Sequence, residues 1–163
     1  MRAELSGLVI CGMAVGLFFV CETFRAEEQC MKDTWAAFGR DNYPDAIKHA
    51  DQCIESFRAA ADKEQERLTR SGEPEPPVGT VSESEYKKIV ARGLLNDVAA
   101  AFFVKAQSAE KLYRTNKANS VEYRRIAEES YKATCQYAYG RAWDPKGWFW
   151  SPCSAAKEHL PLN

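Results

Sequence analysis

Six cysteines and two histidines are the residues of this sequence best suited to covalent or acid–base chemistry. The cysteines form no Cys-x-x-Cys pair, no haem-attachment sequence and no metal-ligand spacing. His49 lies near the polar boundary of a predicted helix, and His159 lies close to the C-terminus. We therefore expect both to be ordinary surface or edge residues. The spacing of the cysteines therefore points to disulfide chemistry rather than to catalysis.

Two cysteine pairs have a spacing that suits disulfide bonds. Cys30 and Cys53 are each about eleven or twelve residues from a predicted turn near Asp41, so antiparallel helices bring them to the same height. Cys135 and Cys153 flank a segment containing glycine and proline, which lets the chain fold back. The first bond would contribute about 3 kcal/mol through chain entropy, and both bonds would indicate an oxidising compartment. The alternative is four buried free thiols, which are common core residues.

Catalytic and cofactor-binding motifs are scarce in this sequence. It contains no glycine-rich phosphate loop, nucleophile elbow or cluster of histidine and carboxylate ligands. Asn96 and Asp97 form a polar pair in an alanine-rich predicted helix, which either binds a ligand in a groove or, more in keeping with the pattern, faces solvent or a neighbouring loop. We therefore predict that the protein is not an enzyme and has no catalytic residues, cofactor or metal.

The charge pattern argues against a nucleic-acid partner. Lysine and arginine total 22 and aspartate and glutamate total 23, which gives a net charge of -1. No basic stripe or block of like charges is present, whereas a nucleic-acid-binding domain normally has a basic face. We expect protein partners instead.

Residues 143–152 hold three of the four tryptophans, together with two prolines and a glycine that interrupt a helix. One interpretation is a cap that closes the open end of a helical stack. The other is a contact surface, because tryptophan is favoured at protein hot spots and at the lipid headgroup level. Both hold if Trp143 packs inward while Trp148 or Trp150 faces outward. Trp148 and Trp150 are therefore the predicted interaction residues.

Residues 5–21 are uncharged over seventeen positions and are expected to be a membrane anchor or a signal sequence. Signal cleavage needs small residues near the cleavage point, but Phe19 and Phe24 occupy the third-last positions at the two candidate points. This favours an uncleaved single-pass anchor over a cleaved signal or a buried soluble helix. Gly12 and Gly16 form a Gly-x-x-x-Gly pair suited to close contact between membrane helices.

The apolar spacing after Ala26 predicts helices and no strand. One helix ends near Gly39, and the next is capped by Asn42, enters at Pro44 and runs to about Thr69. Prolines and glycines make residues 69–82 a loop. These features predict a first antiparallel helical hairpin.

A second hairpin follows the loop. A capping box at residues 82–85 opens a long helix to about Arg114, and a further helix covers residues 121–141. Ser151 and Pro152 start a short helix that ends near Leu160. The predicted fold class is all-α, with an N-terminal apolar helix in residues 1–25, and then, in residues 26–163, two hairpins and a C-terminal capping helix.

Two stretches resemble the tetratricopeptide repeat. Residues 42–47 (Asn-Tyr-Pro-Asp-Ala-Ile) look like the turn and second-helix start of the repeat, and Ala133, Tyr137, Gly140 and Pro145 match its small, aromatic, small and proline positions. Two degenerate repeats would then cover residues 28–145. The resemblance implies a scaffold or a peptide-binding surface.

The predicted function is a non-catalytic one, protein–protein interaction or assembly within a membrane-associated complex. Residues 5–21 would anchor the chain, and the domain would face the periplasm or the exterior. The alternative is a secreted or periplasmic soluble binding module that remains after signal cleavage.

Overall fold

The computed structural model describes residues 29–162, which are mostly helical. Helix α1 covers residues 29–39, and a 3-10 turn at Lys117–Asn119 joins the fourth and fifth helices. The other helices are α2 (Tyr43–Ser71), α3 (Glu83–Val90), α4 (Gly93–Thr115), α5 (Ser120–Thr134) and α6 (Pro152–Glu158). The prediction of a mainly helical domain is confirmed.

The predicted anchor, residues 5–21 with Gly12 and Gly16, lies outside the described residues. Among residues 29–162, no helix combines the length and apolar character needed to cross a membrane.

Local capping sets the ends of α2 and the start of α6. The side chain of Asn42 accepts a hydrogen bond from the backbone N–H of Asp45 at 3.4 Å, and Pro44 lies in the first turn of α2. Gly72 ends α2 with a φ of 66°, which a glycine adopts without steric cost. Ser151 caps α6 in the same way as Asn42 caps α2, by accepting from the N–H of Ser154 at 3.2 Å. The helix starts predicted at Asn42 and Ser151 are confirmed.

Helix α4 is the centre of the fold. On one side Leu95, Phe102 and the alanines between them pack against α1 and α2, and on the other side Phe103 and Ala106 pack against α5 and α6. Small side chains let these neighbours approach closely, because five alanines of α4 are buried: Ala99, Ala100, Ala101, Ala106 and Ala109. The helix therefore contributes to both hydrophobic clusters.

The long helix predicted for residues 82–114 is two helices, α3 and α4, separated at Ala91 and Arg92. The predicted cap at its start is present, because Ser82 Oγ accepts from the N–H of Glu85 at 3.2 Å. At the break, the side chain of Asn96 donates to the carbonyl of Ile89 at 2.7 Å. A side chain thus bonds a carbonyl at the end of α3, and the chain changes direction before α4.

The expectation of a strand-free fold is wrong for residues 142–150. Strands β1 (Ala142–Asp144) and β2 (Trp148–Trp150) form an antiparallel hairpin, in which Trp143 pairs with Phe149. Aromatic residues favour strands, Gly147 turns the chain with a φ of 97°, and Asp144 Oδ1 accepts from the N–H of Lys146 at 2.8 Å. The turn-forming residues between β1 and β2 therefore outweigh the helical pattern that precedes them.

The helix predicted for residues 121–141 ends early, at Thr134. Tyr137 and Gly140 lie in the turns after α5, and Pro145 lies in the hairpin turn rather than at a helix end. The tetratricopeptide resemblance therefore stays a prediction.

Both predicted cysteine pairs lie at disulfide-bonding distance. The Cα atoms of Cys30 and Cys53 are 5.7 Å apart, and those of Cys135 and Cys153 are 4.4 Å apart. The first pair joins α1 to α2, and the second joins the end of α5 to α6. The antiparallel geometry inferred from the spacing is thus confirmed for Cys30 and Cys53, and the predicted return of the chain is confirmed for Cys135 and Cys153.

Candidate functional site

A groove of about 310 Å³ opens between α1, α4 and the β-hairpin, and we call it the aromatic groove. Met31 and Trp35 of α1 form one wall, and Trp143 and Phe149 of the hairpin belong to the other. The remaining lining residues come mostly from the α3–α4 region: Val90, Gly93, Asn96, Asp97, Ala100, Arg141 and Ala142.

The floor of the aromatic groove is a stripe along the start of α4. Gly93, Asn96, Asp97 and Ala100 have the three- and four-residue spacing of one helix face. Seven residues of helix extend about 10 Å, so the floor is roughly two turns long. Glycine and alanine at its two ends leave space above the helix for large side chains of a ligand or partner.

Exposed hydrophobic side chains concentrate at this groove. Within residues 29–162, seven large hydrophobic residues are exposed. Trp35, Val90 and Trp143 line the groove, and Tyr86 contacts Trp143 with 5.4 Å between the ring centroids. Singly exposed apolar residues are normal, but a contiguous patch is typical of an interaction surface.

The hairpin register determines which aromatic rings share a face. Trp143 and Phe149 pair on one face, and Trp148 and Trp150 lie on the opposite face. Trp150 packs on Phe103 at 5.1 Å, whereas Trp148 lies nearer the hairpin turn and is 38% exposed.

Trp143 does not meet the condition under which residues 143–152 would be both a cap and a contact surface, because it is 48% exposed rather than packed inward. Its strand partner Phe149 is buried, and its ring contacts those of Trp143 and Tyr86. The backbone of Phe149 also pairs with Gly79: the N–H of Gly79 donates to the Phe149 carbonyl at 2.7 Å, and the reverse bond is 3.0 Å long. Of the two predicted interaction residues, Trp148 is accessible and Trp150 is largely used in the core. Trp143 is the exposed ring of the hairpin at the groove.

Asn96 joins the groove floor to the hairpin. Its Oδ1 accepts from the backbone N–H of Arg141 at 2.9 Å, while its amide nitrogen donates to Ile89. The prediction of a hydrogen bond to a neighbouring loop is therefore confirmed for Asn96. Asp97 lines the groove beside it.

Arg141 fastens the hairpin to the proline-rich loop. Its buried guanidinium donates to the carbonyl of Pro76, at 2.9 Å from Nε, and to the carbonyls of Ala138 and Gly140. Glu75 lies 3.6 Å away, and burial lowers the pKa of Arg141. These contacts use the donors of Arg141 within the fold, so its role is structural. No sequence pattern marked this residue.

Glu110 forms the other dense polar cluster of the described residues. Tyr131 donates to it at 2.7 Å, Arg114 donates at 2.7 Å, and Nδ1 of His159 lies 2.8 Å from it. Burial raises the pKa of Glu110, but these three hydrogen bonds outweigh burial and lower it. Burial and the bond to Glu110 raise the pKa of Tyr131, so the phenol stays protonated.

This cluster joins α4, α5 and the C-terminal segment. His159 stacks on Tyr131 with 4.8 Å between the ring centroids, at the edge position that the sequence predicted. His49, on α2, is partly exposed and lies 3.2 Å from Gln52. The ring nitrogens of the two histidines contact the side chains of Gln52 and Glu110. The Glu110 cluster thus holds the segment after α6 against α4 and α5.

The aromatic groove offers rings and a carboxylate but no activated nucleophile among its lining residues. In the described part of the chain, no three histidine, cysteine, aspartate or glutamate residues are grouped so as to hold a metal ion. The exposed rings of Trp35 and Trp143 suit contact with an apolar surface. Comparison with protein families, curated proteins and solved structures found no match to this chain.

Proposed function

We propose that this chain is a non-catalytic assembly subunit of a membrane-associated complex and that the aromatic groove is its contact surface. The observation that carries the proposal is the clustering of Trp35, Tyr86, Val90 and Trp143 at one groove. Tryptophan and tyrosine are the residue types that most often dominate binding energy at protein interfaces. The partner is a protein segment that presents large apolar or aromatic side chains.

The position of the groove along the chain supports a partner at the membrane. Met31 follows the uncharged stretch of residues 5–21 by ten residues (31 minus 21). Ten residues span at most about 36 Å, so an anchor in residues 5–21 keeps the groove near the bilayer. Gly12 and Gly16 would then contact a membrane helix of the same complex.

The cysteine pairs support an extracytoplasmic position for the domain. Two pairs at disulfide-bonding distance are typical of proteins that fold in an oxidising compartment. The repeat resemblance supports a protein partner as well, since stacked helical hairpins usually present protein-binding surfaces.

Purification of the tagged full chain in mild detergent tests the proposal. We expect wild type to retain co-purifying membrane proteins that Trp143→Ala loses by about 30-fold, which corresponds to the roughly 2 kcal/mol of a hot-spot residue. Val121→Ala is the matched control, because Val121 is 83% exposed on α5 and lies outside the groove.

Circular dichroism must show that both variants keep the wild-type helix content. A chain that purifies alone, or partners that Trp143→Ala retains as well as Val121→Ala does, would contradict the proposal. Release of the chain from membranes by carbonate would instead favour the secreted module.

A further inference from the structure

Each wall of the aromatic groove lies on a segment of the chain between two paired cysteines. Cys30 lies one residue before Met31 and pairs with Cys53 on α2, beside the first wall. Cys135 and Cys153 enclose the hairpin that forms the second wall. The floor, the start of α4, contains no cysteine. The two walls differ, however, in what else holds them.

Non-covalent packing also holds the described part of the α1 wall: Met31, Thr34 and Ala37 are buried. Close to the turn at Asp41, Phe38 contacts Tyr43 of α2 with 5.8 Å between the ring centroids. Trp35 is exposed and contacts Phe38 of the same helix. Cys30 lies about three helical turns before Asp41, so its bond to Cys53 holds α1 against α2 well away from the connecting turn.

The hairpin wall has a separate set of non-covalent contacts. Phe149 exchanges two backbone hydrogen bonds with Gly79, and the guanidinium of Arg141 binds the carbonyls around it. Trp150 packs on Phe103 in the core. These contacts do not involve Cys135 or Cys153, so the hairpin remains in place without that bond.

We propose that the Cys30–Cys53 bond is a redox-sensitive clasp on the aromatic groove. When the bond is formed, α1 stays against α2 and the groove has both walls. When a dithiol reductant opens the bond, the start of α1 leaves its place and the groove loses Met31 and Trp35. The release of a bound partner on reduction rests on the proposed function. The opening of the α1 wall does not rest on it.

The accessible sulfur determines the order of the exchange. Cys30 is partly exposed and Cys53 is fully buried, so a thiolate of the reductant attacks Cys30 Sγ and Cys53 leaves as a thiolate. The second thiol of the reductant then displaces Cys30 and closes the reductant's own disulfide. The protein gains two electrons and, after protonation, two protons, and the dithiol is oxidised.

Hydrogen exchange measured by mass spectrometry on the full chain in detergent tests the clasp. Dithiothreitol is the reductant, and the double variants Cys30→Ser/Cys53→Ser and Cys135→Ser/Cys153→Ser separate the two bonds. We expect peptides from residues 29–39 to exchange at least about 10-fold faster after reduction and in the first variant. The second variant should keep wild-type protection there, and α4 should stay protected in all samples.

Unchanged protection of residues 29–39 once mass analysis shows both thiols reduced would overturn the clasp. Equal loss of protection in α4 would also overturn it, because that result indicates general unfolding. So would alkylation of Cys30 and Cys53 in protein that was never reduced, since the bond would then be absent.

Co-purification separates the clasp from the proposed function. Loss of the partner from Cys30→Ser/Cys53→Ser, but not from Cys135→Ser/Cys153→Ser, supports control of binding by the clasp. If the α1 peptides open and the partner is retained, control of binding is refuted while the assembly function stands. If wild type captures no partner at all, the assembly function fails and hydrogen exchange still decides whether the clasp exists.

Discussion

Glu110 illustrates how single residues stabilise this fold. The carboxylate lies on α4 and accepts from Tyr131 of α5, and His159 reaches it from the segment after α6. Because its pKa is lowered below the ordinary value of 4.5, the folded state prefers the charged form. The resulting stabilisation is fully present above about pH 4.5 and is lost as the pH falls through the lowered pKa.

We predict that Glu110→Gln makes the acid side of the stability profile flatter. The variant should lose about 1–3 kcal/mol of unfolding free energy at pH 7, because the hydrogen bonds to a charge weaken. As the pH falls from about 5 to about 3, the wild type should lose stability more steeply than the variant. Urea denaturation across this range provides the measurement.

The matched control for that series is Glu66→Gln, which alters an exposed carboxylate paired with Arg70 on α2. An exposed pair contributes little, so this variant should keep the wild-type slope. Parallel profiles for wild type and Glu110→Gln would show that the cluster does not carry the acid sensitivity.

Sequence reasoning succeeds at the residue scale where a contact is local. The caps at Asn42, Ser82 and Ser151 bond backbone groups three residues away, so their residue types predict them. Arg141 and Glu110 bond across the fold: Arg141 reaches a carbonyl 65 positions away, and His159 reaches Glu110 across 49 positions. No local pattern specifies partners at that distance.

Among the elements, the turn after α5 packs directly against α4. A Cβ atom on Gly140 would lie 2.6 Å from the Cβ of Ala99 and 3.1 Å from the carbonyl oxygen of Tyr137. The repeat resemblance makes Gly140 a small position at which two helices pack closely, and so places it on a helix. The close approach is real, and it occurs between a turn and α4.

We predict that Gly140→Ala destabilises the domain by about 1–3 kcal/mol, because neither α4 nor the turn can move without disturbing the core. Gly39→Ala is the control, since a Cβ atom added to this last residue of α1 would meet no other group within 4 Å. That change should be neutral or stabilising by up to about 1 kcal/mol. Urea denaturation measures both, and equal stability of the two variants would refute the packing argument.

The helix boundaries show why element prediction failed near the C-terminus. Residue types mark both ends of α2: Asn42 caps its start, Pro44 lies in its first turn and Gly72 follows its end. The predicted extent of α2 is therefore close to the observed one. Helix α5 ends at Thr134 without a glycine or proline next to it. The hairpin strands are three residues long, which is too short for an alternating pattern to stand out.

In residues 29–162, α4 is the central helix: it packs on both sides, and one stripe at its start lines the aromatic groove. The predicted helical class follows from composition and periodicity. The aromatic groove does not, because Met31, Asp97 and Trp143 come from three distant parts of the chain. Knowing that residues 143–152 are rich in aromatic residues does not tell which ring is exposed, because each face of the hairpin carries one exposed ring and one more buried ring.

Site-specific photocrosslinking from the groove tests the central claim most directly. Benzoylphenylalanine replaces Tyr86, an exposed residue that contacts Trp143, in the full chain kept in its native membrane. The same probe at Val121 is the control for an exposed site outside the groove. We predict a discrete adduct with another membrane-complex protein from position 86, its loss when Trp143→Ala is added, and no such adduct from position 121. Absence of an adduct from position 86, or the same adduct from both positions, would contradict the assignment of the aromatic groove as the contact surface.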